Sequence, residues 1–265
     1  MNIVVPIKQV PETSNVKMDP VTGTMIRDGV ESIINPLDLY AIETAIQLKE
    51  EHGGKVTAIT MGPPSAEKAL REAIAMGCDE GVLVSDRKFS GADTWSTAYV
   101  LVNAVRTLGD VDLIIAGERA TDGDTGQVGP AMASALDLPL ATYISRIDKV
   151  ESNCLTVERL VEDGYETLEV DLPALLTVVK EISYPRLPTL RGKQKARATD
   201  LPVLTAADLP VEEAKLGLKG SPTRVVKIET PKVTRGGTVK KAADEASLTE
   251  AVDDLVRFLQ AKELV

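Results

Sequence analysis

Residues 55–85 read KVTAITMGPPSAEKALREAIAMGCDEGVLVS, and this stretch decides the fold class. Two short apolar runs, KVTAITM and GVLVS, are typical of buried strands. Between them, prolines and Ser65 begin a helix that ends at Gly77. The apolar side chains of this helix fall on one face (Ala69, Leu70, Ala73 and Met76). A strand, a helix and a second strand in succession predict parallel strands with the helix packed against them.

The same alternation extends on both sides of this unit. The predicted elements are a strand at 2–7 (NIVVPI), a helix from Asn35-Pro36-Leu37-Asp38 to Gly53-Gly54, a helix at about 93–108, a strand at 111–117 (VDLIIAG) and a helix at about 125–136. Short apolar strands that alternate with helices indicate a parallel sheet covered on both faces. We therefore predict an α/β protein.

The pattern changes after about residue 140. The segments YISRIDKVE, CLTVERLVED, YETLEVD and ALLTVVK predict a β-rich, antiparallel extension of the sheet. Prolines then recur between residues 183 and 224, which predicts an extended arm with little regular structure (Pro185, Pro188, Pro202, Pro210 and Pro222). SLTEAVDDLVRFLQAKEL predicts a C-terminal amphipathic helix capped by Ser247 or Thr249. We divide the chain into an α/β domain with its β extension at 1–182, and the arm with the C-terminal helix at 183–265.

Composition excludes several classes of function. The 265-residue chain has a formal net charge of -10 and a sequence pI of about 4.8, which disfavours binding to nucleic acid and to anionic lipid. No apolar stretch approaches the roughly 18 residues of a membrane helix, so we expect no membrane insertion. From the opening MNIVVPIKQV we expect an untargeted, cytoplasmic protein. Cys78, Cys154 and His52 offer almost no material for a metal site or a catalytic triad, and we expect neither.

The segment after the strand at 111–117 is the richest candidate for a ligand site. In open α/β sheets, ligands bind beyond the carboxyl ends of the strands. Residues 117–129 read GERATDGDTGQVG, with glycines that let backbone approach a phosphate and a helix start that offers free N–H donors. The spacing matches neither a Walker A loop nor the G-x-G-x-x-G fingerprint. A glycine-rich turn with a capping aspartate explains the segment equally well.

Polar residues near this segment have two interpretations each. Asp122 and Asp124 would repel a phosphate, so we expect them to face a ribose hydroxyl or to cap the following helix. Asn35 could donate hydrogen bonds to a ligand, although Asn before Pro is equally an ordinary helix entry. In the loop FSGADTW at 89–95, Asp93 or Thr94 is interpreted as a helix cap.

The arm carries RGKQKAR at 191–197, which places four cations within seven residues of an acidic chain. A solvated basic surface is one interpretation. The other is a docking surface, since an exposed arm of opposite charge to its domain suits an acidic partner.

Several separated motifs resemble those of electron-transferring flavoprotein β subunits. They are VPIKQVPET, NPLDLYAIETAIQLKE, AMGCD and, as the most specific, VERLVEDGYETLEVDLPALLTV at 157–178. The resemblance covers nearly the whole chain and implies a heterodimer with an α subunit that carries an FAD, while the β subunit holds a second nucleotide. It places the nucleotide contacts at Pro6, Asn35, Pro36, Leu37, Asp38, Met61, Gly117, Ala120, Thr121, Asp122, Gly123, Asp124, Thr125, Gly126, Gln127 and Val128.

The resemblance implies one of two nucleotides. In ordinary members it is AMP. In electron-bifurcating members it is an FAD that NADH reduces, and electrons pass to ferredoxin or flavodoxin and, through the α subunit, to a dehydrogenase. The loops at 89–94 and 122–129 resemble the bifurcating version, where Gly123 stands in place of an acid of the AMP type. We therefore expect FAD, with AMP as the alternative, and NADH as the electron donor.

The resemblance also implies a docking surface on the arm. Leu190 aligns with the leucine that anchors partner dehydrogenases in the family, and Arg191, Lys193 and Lys195 follow it. The expected docking surface comprises these four residues. A nucleotide-sensing α/β domain without a redox role is a competing class, because it shares the strand-helix alternation and the glycine-rich segment. It leaves the β extension and the basic arm unexplained.

Overall fold

The computed structural model describes residues 1–12, 32–226 and 236–265. Residues Met1–Val226 form one compact unit, and Lys227–Val265 form a second. Parts of both predicted domains, residues 13–31 and 227–235, lie outside the described residues. The predicted division after residue 182, which separates a nucleotide-binding part from a partner-binding part, stays a prediction.

The larger unit alternates strands and helices along the chain. Its strands are β1 (Asn2–Pro6), β2 (Gln9–Pro11), β3 (Ser32–Ile34), β4 (Lys55–Met61), β5 (Glu80–Val84), β6 (Leu113–Gly117), β7 (Leu140–Val150), β8 (Cys154–Val161), β9 (Gly164–Asp171), β10 (Ala174–Val178) and β11 (Val203–Leu204). Its helices are α1 (Asp38–His52), α2 (Glu67–Met76), α3 (Thr94–Val105), α4 (Val128–Leu136), α5 (Leu190–Ala198) and α6 (Gly217–Gly220). No helix of the described ranges is long and apolar enough to cross a membrane.

Within the described residues, nine strands form one sheet in the order β11-β5-β4-β1-β6-β10-β7-β8-β9, and β2 pairs with β3 in a small second sheet. All neighbours from β11 to β7 run parallel. The pairs β7–β8 and β8–β9 are antiparallel. This topology confirms the predicted α/β class and the antiparallel extension. From β1 the chain builds β4 and β5 on one side and then β6 on the other, so the strand order reverses between β1 and β6. Such a switch point is where open α/β sheets bind ligands.

Helices cover both faces of the sheet, as the apolar strands predict. In β1, Ile3 and Val5 pack in one buried cluster with α1 and α2. Val4 points to the opposite face, where it packs with α3 and α4. Successive residues of a strand face opposite sides, so β1 is apolar on both faces because both are buried.

The prediction of little regular structure between residues 183 and 224 is wrong. Helix α5 lies in this segment, and the Thr189 hydroxyl caps it by accepting a hydrogen bond from the Gly192 N–H (2.9 Å). Gly192 lies against α2, where a Cβ would overlap the carbonyl oxygen of Ala75. The prolines flank α5 rather than interrupt it, and β11 adds a strand beside β5. A proline-rich composition therefore concealed a short helix that a tertiary contact stabilises.

In the smaller unit, α7 (Glu245–Ala261) confirms the predicted C-terminal helix, but neither predicted cap is its N-cap. Asp244 is the N-cap and accepts a hydrogen bond from the Ser247 N–H (2.8 Å). The Ser247 hydroxyl in turn accepts from the Asp244 N–H (3.1 Å), which completes a capping box. Ser247 therefore lies inside the first turn, because an aspartate three residues earlier accepts its N–H.

Candidate functional site

The predicted site residues at the strand ends lie at one edge of the sheet. Pro6 ends β1, Met61 ends β4 and Gly117 ends β6. Because these strands are parallel neighbours, their carboxyl ends meet at the switch point. We call this region, together with residues 117–129 and the start of α1, the crevice.

Gly117 lets the start of α1 approach the end of β6. A Cβ at Gly117 would overlap Asp38 Oδ1 and would lie 2.9 Å from the carbonyl carbon and oxygen of Leu37. No larger residue fits there unless the two segments separate. Glycine is required at this position for space rather than for an unusual backbone angle.

Asn35 joins two segments of the crevice through three hydrogen bonds of its side-chain amide. Its Nδ2 donates to Asp38 Oδ1 (2.9 Å) and to the carbonyl oxygen of Arg119 (2.9 Å). Its Oδ1 accepts from the Thr121 N–H (3.1 Å). The side chain is fully buried. Asn35 is therefore more than an ordinary helix entry, because it fixes the loop after β6 against the start of α1.

Asp38 is a buried carboxyl at the first residue of α1. It accepts hydrogen bonds from Asn35 and from the Lys8 N–H (2.7 Å). Burial raises the pKa of Asp38 to about 7, and the hydrogen bonds from Asn35 and Lys8 oppose that rise. The folded-state pKa thus lies above the ordinary value of 3.8, so this group costs stability as the pH rises through the interval between the two values.

The carboxylates of the crevice loop are paired with neighbouring cations. Lys8 Nζ lies 2.6 Å from Asp122 Oδ1, and Arg119 Nε lies 3.3 Å from Asp124 Oδ1. Neither aspartate caps α4, because its N-cap is Gln127 and the first turn has no side-chain cap. The capping role expected for Asp122 and Asp124 is wrong. Ion pairing instead neutralises the charge that would repel a phosphate, and the ribose role stays a prediction.

The start of α4 has the geometry of an anion site. The N–H groups in the first turn of any α-helix have no intrahelical acceptor, and here no side chain caps them. A Cβ at Gly129 would lie 2.8 Å from Thr177 Cγ2, so this glycine lets the first turn pack closely on β10. Gly126 adopts a positive φ of 63° where the loop turns into the helix. The loop between β6 and α4 therefore offers free donors and little side-chain bulk.

A second loop meets the crevice from the start of α3. The Thr94 hydroxyl lies 3.4 Å from the Thr125 hydroxyl. Asp93 caps α3 by accepting from the Ser96 N–H (3.0 Å), which confirms the capping interpretation. Trp95, the single tryptophan of the chain, is 45% exposed beside this contact and stacks on Tyr99 with ring centroids 5.8 Å apart.

Comparison with known proteins identifies the family. A family model described as the electron transfer flavoprotein domain matches residues 22–209. The chain belongs to the electron transfer flavoprotein family. It is 49% identical, over the whole of both chains, to an electron transfer flavoprotein subunit beta of Thermoanaerobacterium thermosaccharolyticum. It is 43% identical to the caffeyl-CoA reductase-Etf complex subunit CarD of Acetobacterium woodii. It is also 43% identical to the acryloyl-CoA reductase electron transfer subunit gamma of Anaerotignum propionicum, and both alignments span the whole of each chain.

The arm of this electron transfer flavoprotein chain exposes all four residues of the predicted docking surface. Leu190 is the first residue of α5 and is 88% exposed. Arg191 and Lys193 are also exposed. Lys195 is engaged within its own unit, because its Nζ donates to the Cys78 carbonyl oxygen (3.1 Å) and lies 3.7 Å from Asp79. The docking role of all four residues stays a prediction.

Two contributors to the crevice of this flavoprotein chain are absent from the predicted site. Lys8 and Arg119 pair with its aspartates, and Arg119 also accepts a hydrogen bond from Asn35. Lys8 lies in the quoted motif VPIKQVPET, two residues after the end of β1. The rule that ligands gather beyond strand ends was a sufficient signal for Lys8. Its pairing with Asp122 could not be read from the sequence.

Proposed function

We propose that this electron transfer flavoprotein β subunit binds FAD in the crevice and takes part in flavin-based bifurcation. In this proposal an α subunit with its own FAD completes a heterodimer. Electrons pass from NADH to ferredoxin or flavodoxin and to a dehydrogenase. The observation that carries the proposal is the glycine-rich loop that leads into the uncapped start of α4, beside the switch point. The two aspartates of this loop are paired with Lys8 and Arg119.

The residues of the crevice fit a nucleotide with more than one phosphate. Uncapped N–H groups at α4 and the nearby cations favour anions. Gly123 is exposed and has open space, since the nearest atom to a Cβ there would be Lys8 Nζ at 3.8 Å. A diphosphate with a flavin beyond it needs such room and little added negative charge. AMP is the alternative ligand of the same crevice.

The printed names of two relatives support the redox part of the proposal. CarD belongs to a caffeyl-CoA reductase-Etf complex, and the Anaerotignum protein is an electron transfer subunit of acryloyl-CoA reductase. We infer an acyl-CoA dehydrogenase or reductase as the partner class. FAD supplies the hydride and electron chemistry when bound. The residues of this chain bind and orient the nucleotide, and no side chain need act as a general acid or base.

The first prediction concerns cofactor content. Co-expressed with its α subunit, the chain should form a yellow heterodimer with two FAD and negligible AMP, measured by acid extraction and chromatography. Gly123→Asp should lose the β-subunit FAD and retain the other, because its carboxylate would face the phosphates and compete for Lys8. Gly123→Ala is the matched control and should retain both, since a Cβ fits there.

Three other outcomes would each redirect the assignment. One FAD with one AMP per heterodimer would place the chain in the ordinary subgroup. Unchanged flavin content in Gly123→Asp would mean that this loop does not bind the phosphates. A colourless homodimer without flavin would favour the nucleotide-sensing function.

The second prediction concerns docking at the arm. Leu190 is an exposed apolar side chain with cations beside it, an arrangement in which the anchor provides affinity and the rim steers encounter. Leu190→Ala should slow transfer to the acceptor dehydrogenase by about tenfold while both flavins stay bound and reducible by NADH. Stopped-flow flavin reduction beside a coupled acceptor assay measures both steps.

Leu187 offers a matched control for this experiment, because it is 86% exposed in the same arm. Leu187→Ala should transfer electrons at the normal rate. If Leu187→Ala were slow and Leu190→Ala normal, the alignment of the anchor would be shifted. Lys193→Gln should slow association mainly at low salt, where charges are least screened. Lys195 suits this test less well, since it is bonded to its own unit.

A further inference from the structure

Lys8 is fixed at both ends beside the crevice loop. Its backbone N–H donates to Asp38 Oδ2 (2.7 Å), which anchors the main chain to the start of α1. Its ammonium reaches across to Asp122 Oδ1 (2.6 Å), and the side chain remains 47% exposed. Lys8 therefore presents a positioned cation to solvent at the mouth of the crevice.

The ammonium of Lys8 lies next to bare backbone. Next to Asp122, its Nζ would be 3.8 Å from a Cβ at Gly123, so a residue without a side chain also lies beside the ammonium. An ammonium group has three donors, and the contact with Asp122 uses one of them. The contact with Asp122 is the one hydrogen bond of this ammonium to a described residue, and the side chain is 47% exposed, so the other donors can reach an anion that approaches from solvent.

The two cations of the crevice, Lys8 and Arg119, differ in the number of carboxylates with which they pair. Arg119 is shared between Asp124 (3.3 Å) and Glu118 (3.5 Å). Lys8 forms its ion pair with Asp122 alone among the described residues. An anion that enters the crevice therefore competes with one carboxylate at Lys8 and with two at Arg119.

We propose that Lys8 is a phosphate-binding residue of the crevice and that Asp122 positions it. The Lys8 ammonium donates to a phosphate oxygen of the nucleotide while Asp122 keeps the side chain over the loop. This inference rests on the proposed function, because it deepens the description of the same nucleotide site. The proposal also explains why Asp122 is tolerated next to a phosphate. Its negative charge is paired with the Lys8 ammonium and holds that cation in position.

The test is calorimetric titration of the full chain with FAD, ADP, AMP and adenosine. Lys8→Gln should weaken binding of the three phosphate ligands by about 10- to 100-fold, as expected for loss of one charged hydrogen bond. Adenosine, which has no phosphate, should bind Lys8→Gln and the wild type equally. Lys8→Arg keeps the charge and should recover most of the affinity. Fluorescence of Trp95, near the loop, gives an independent readout of binding.

Lys55 provides a matched control at the other edge of the sheet. It begins β4, pairs with Glu80 at 2.9 Å and is 45% exposed, so it resembles Lys8 in ion pairing and in exposure. Lys55→Gln should bind every ligand like the wild type. An equal loss for adenosine and ADP in Lys8→Gln would show a structural role and overturn the proposal. So would normal ADP affinity in Lys8→Gln, or a loss in Lys8→Arg as large as in Lys8→Gln.

The failure of the proposed function gives a different result. If the wild-type chain bound none of the four compounds, the nucleotide site itself would be wrong, and the role of Lys8 would be wrong with it. If the wild type bound them and Lys8→Gln did so equally well, the nucleotide site would stand and only the role of Lys8 would be overturned.

Discussion

Arg186→Ala is expected to lower the free energy of unfolding by about 3 kcal/mol, as for a buried ion pair that loses one partner. The carboxylate of Glu43, on α1, is only 4% exposed. It accepts from Arg186 Nε (2.9 Å) and from a second guanidinium nitrogen (3.0 Å). The variant would leave the charge buried with the backbone N–H of residue 186 and Gln47 as donors. Chemical denaturation of the wild type and the variant measures the difference.

The loss of unfolding free energy in Arg186→Ala should depend on pH, and the titration of Glu43 determines the direction of that dependence. Burial acts to raise the pKa of Glu43, but the hydrogen bonds from Arg186 outweigh it and hold the pKa below 4.5. In the wild type the ionised group stabilises the fold above its unfolded pKa, and this contribution is lost as the pH falls through the folded pKa. In Arg186→Ala the burial effect dominates and raises the pKa. The deficit should therefore be largest near neutral pH and shrink as the pH falls towards and below 4.5, the ordinary pKa of the group.

Glu50→Gln is the control for this prediction. Glu50 is the other partner of Arg186, at 2.6 Å, but it is 54% exposed. Its replacement should cost less than about 1 kcal/mol, because solvent screens exposed pairs. A deficit of the same size in both variants, or one independent of pH in Arg186→Ala, would contradict the role assigned to buried Glu43.

The second large effect is expected for Gly117→Ala. The added methyl group would overlap Asp38 and crowd Leu37, so the start of α1 must move away from β6. We expect a loss of about 1–3 kcal/mol in the free energy of unfolding, which is usual for overpacking. We also expect loss of nucleotide binding, because the same shift would break the contacts of Asn35 with the loop.

Gly123→Ala tests whether the Gly117 effect is steric. Both glycines belong to the crevice, but a Cβ at Gly123 meets only Lys8 Nζ, at 3.8 Å. Its stability should stay within about 0.5 kcal/mol of the wild type. Denaturation and nucleotide titration of the two variants side by side decide the matter. Normal binding by Gly117→Ala would show that the close approach of α1 and β6 is dispensable for the site.

The sequence predicted the elements whose residues carry a strong local pattern. The strands at β1, β4, β5 and β6 are short apolar runs, and helices separate them, so the α/β class followed directly. The antiparallel extension was equally visible in β-rich segments bounded by turn residues. Helix α5 was missed, because its prolines flank it and its contact with α2 depends on the space left by Gly192.

The candidate site was predicted as a set of segments and not as a set of contacts. The family resemblance placed nucleotide contacts at Pro6, Met61 and Gly117, which lie at one edge because parallel neighbours end together. The expected capping role of Asp122 and Asp124 was wrong, because no side chain caps α4; instead they pair with Lys8 and Arg119. An ion pair between residues far apart in the chain, such as Lys8 and Asp122, produces no periodic pattern in the sequence from which it could be predicted.

The sequence by itself thus determined the fold class, the family and the segments that form the crevice. Those properties depend on the periodicity of apolar residues, on turn residues and on motifs, all of which are contained in short stretches of sequence. The tertiary structure alone decided that Lys8 meets Asp122, that Arg186 neutralises Glu43 and that Asn35 joins α1 to the loop after β6. These contacts join residues far apart in the chain, and they form only when the parallel strands bring their ends to the same edge of the sheet.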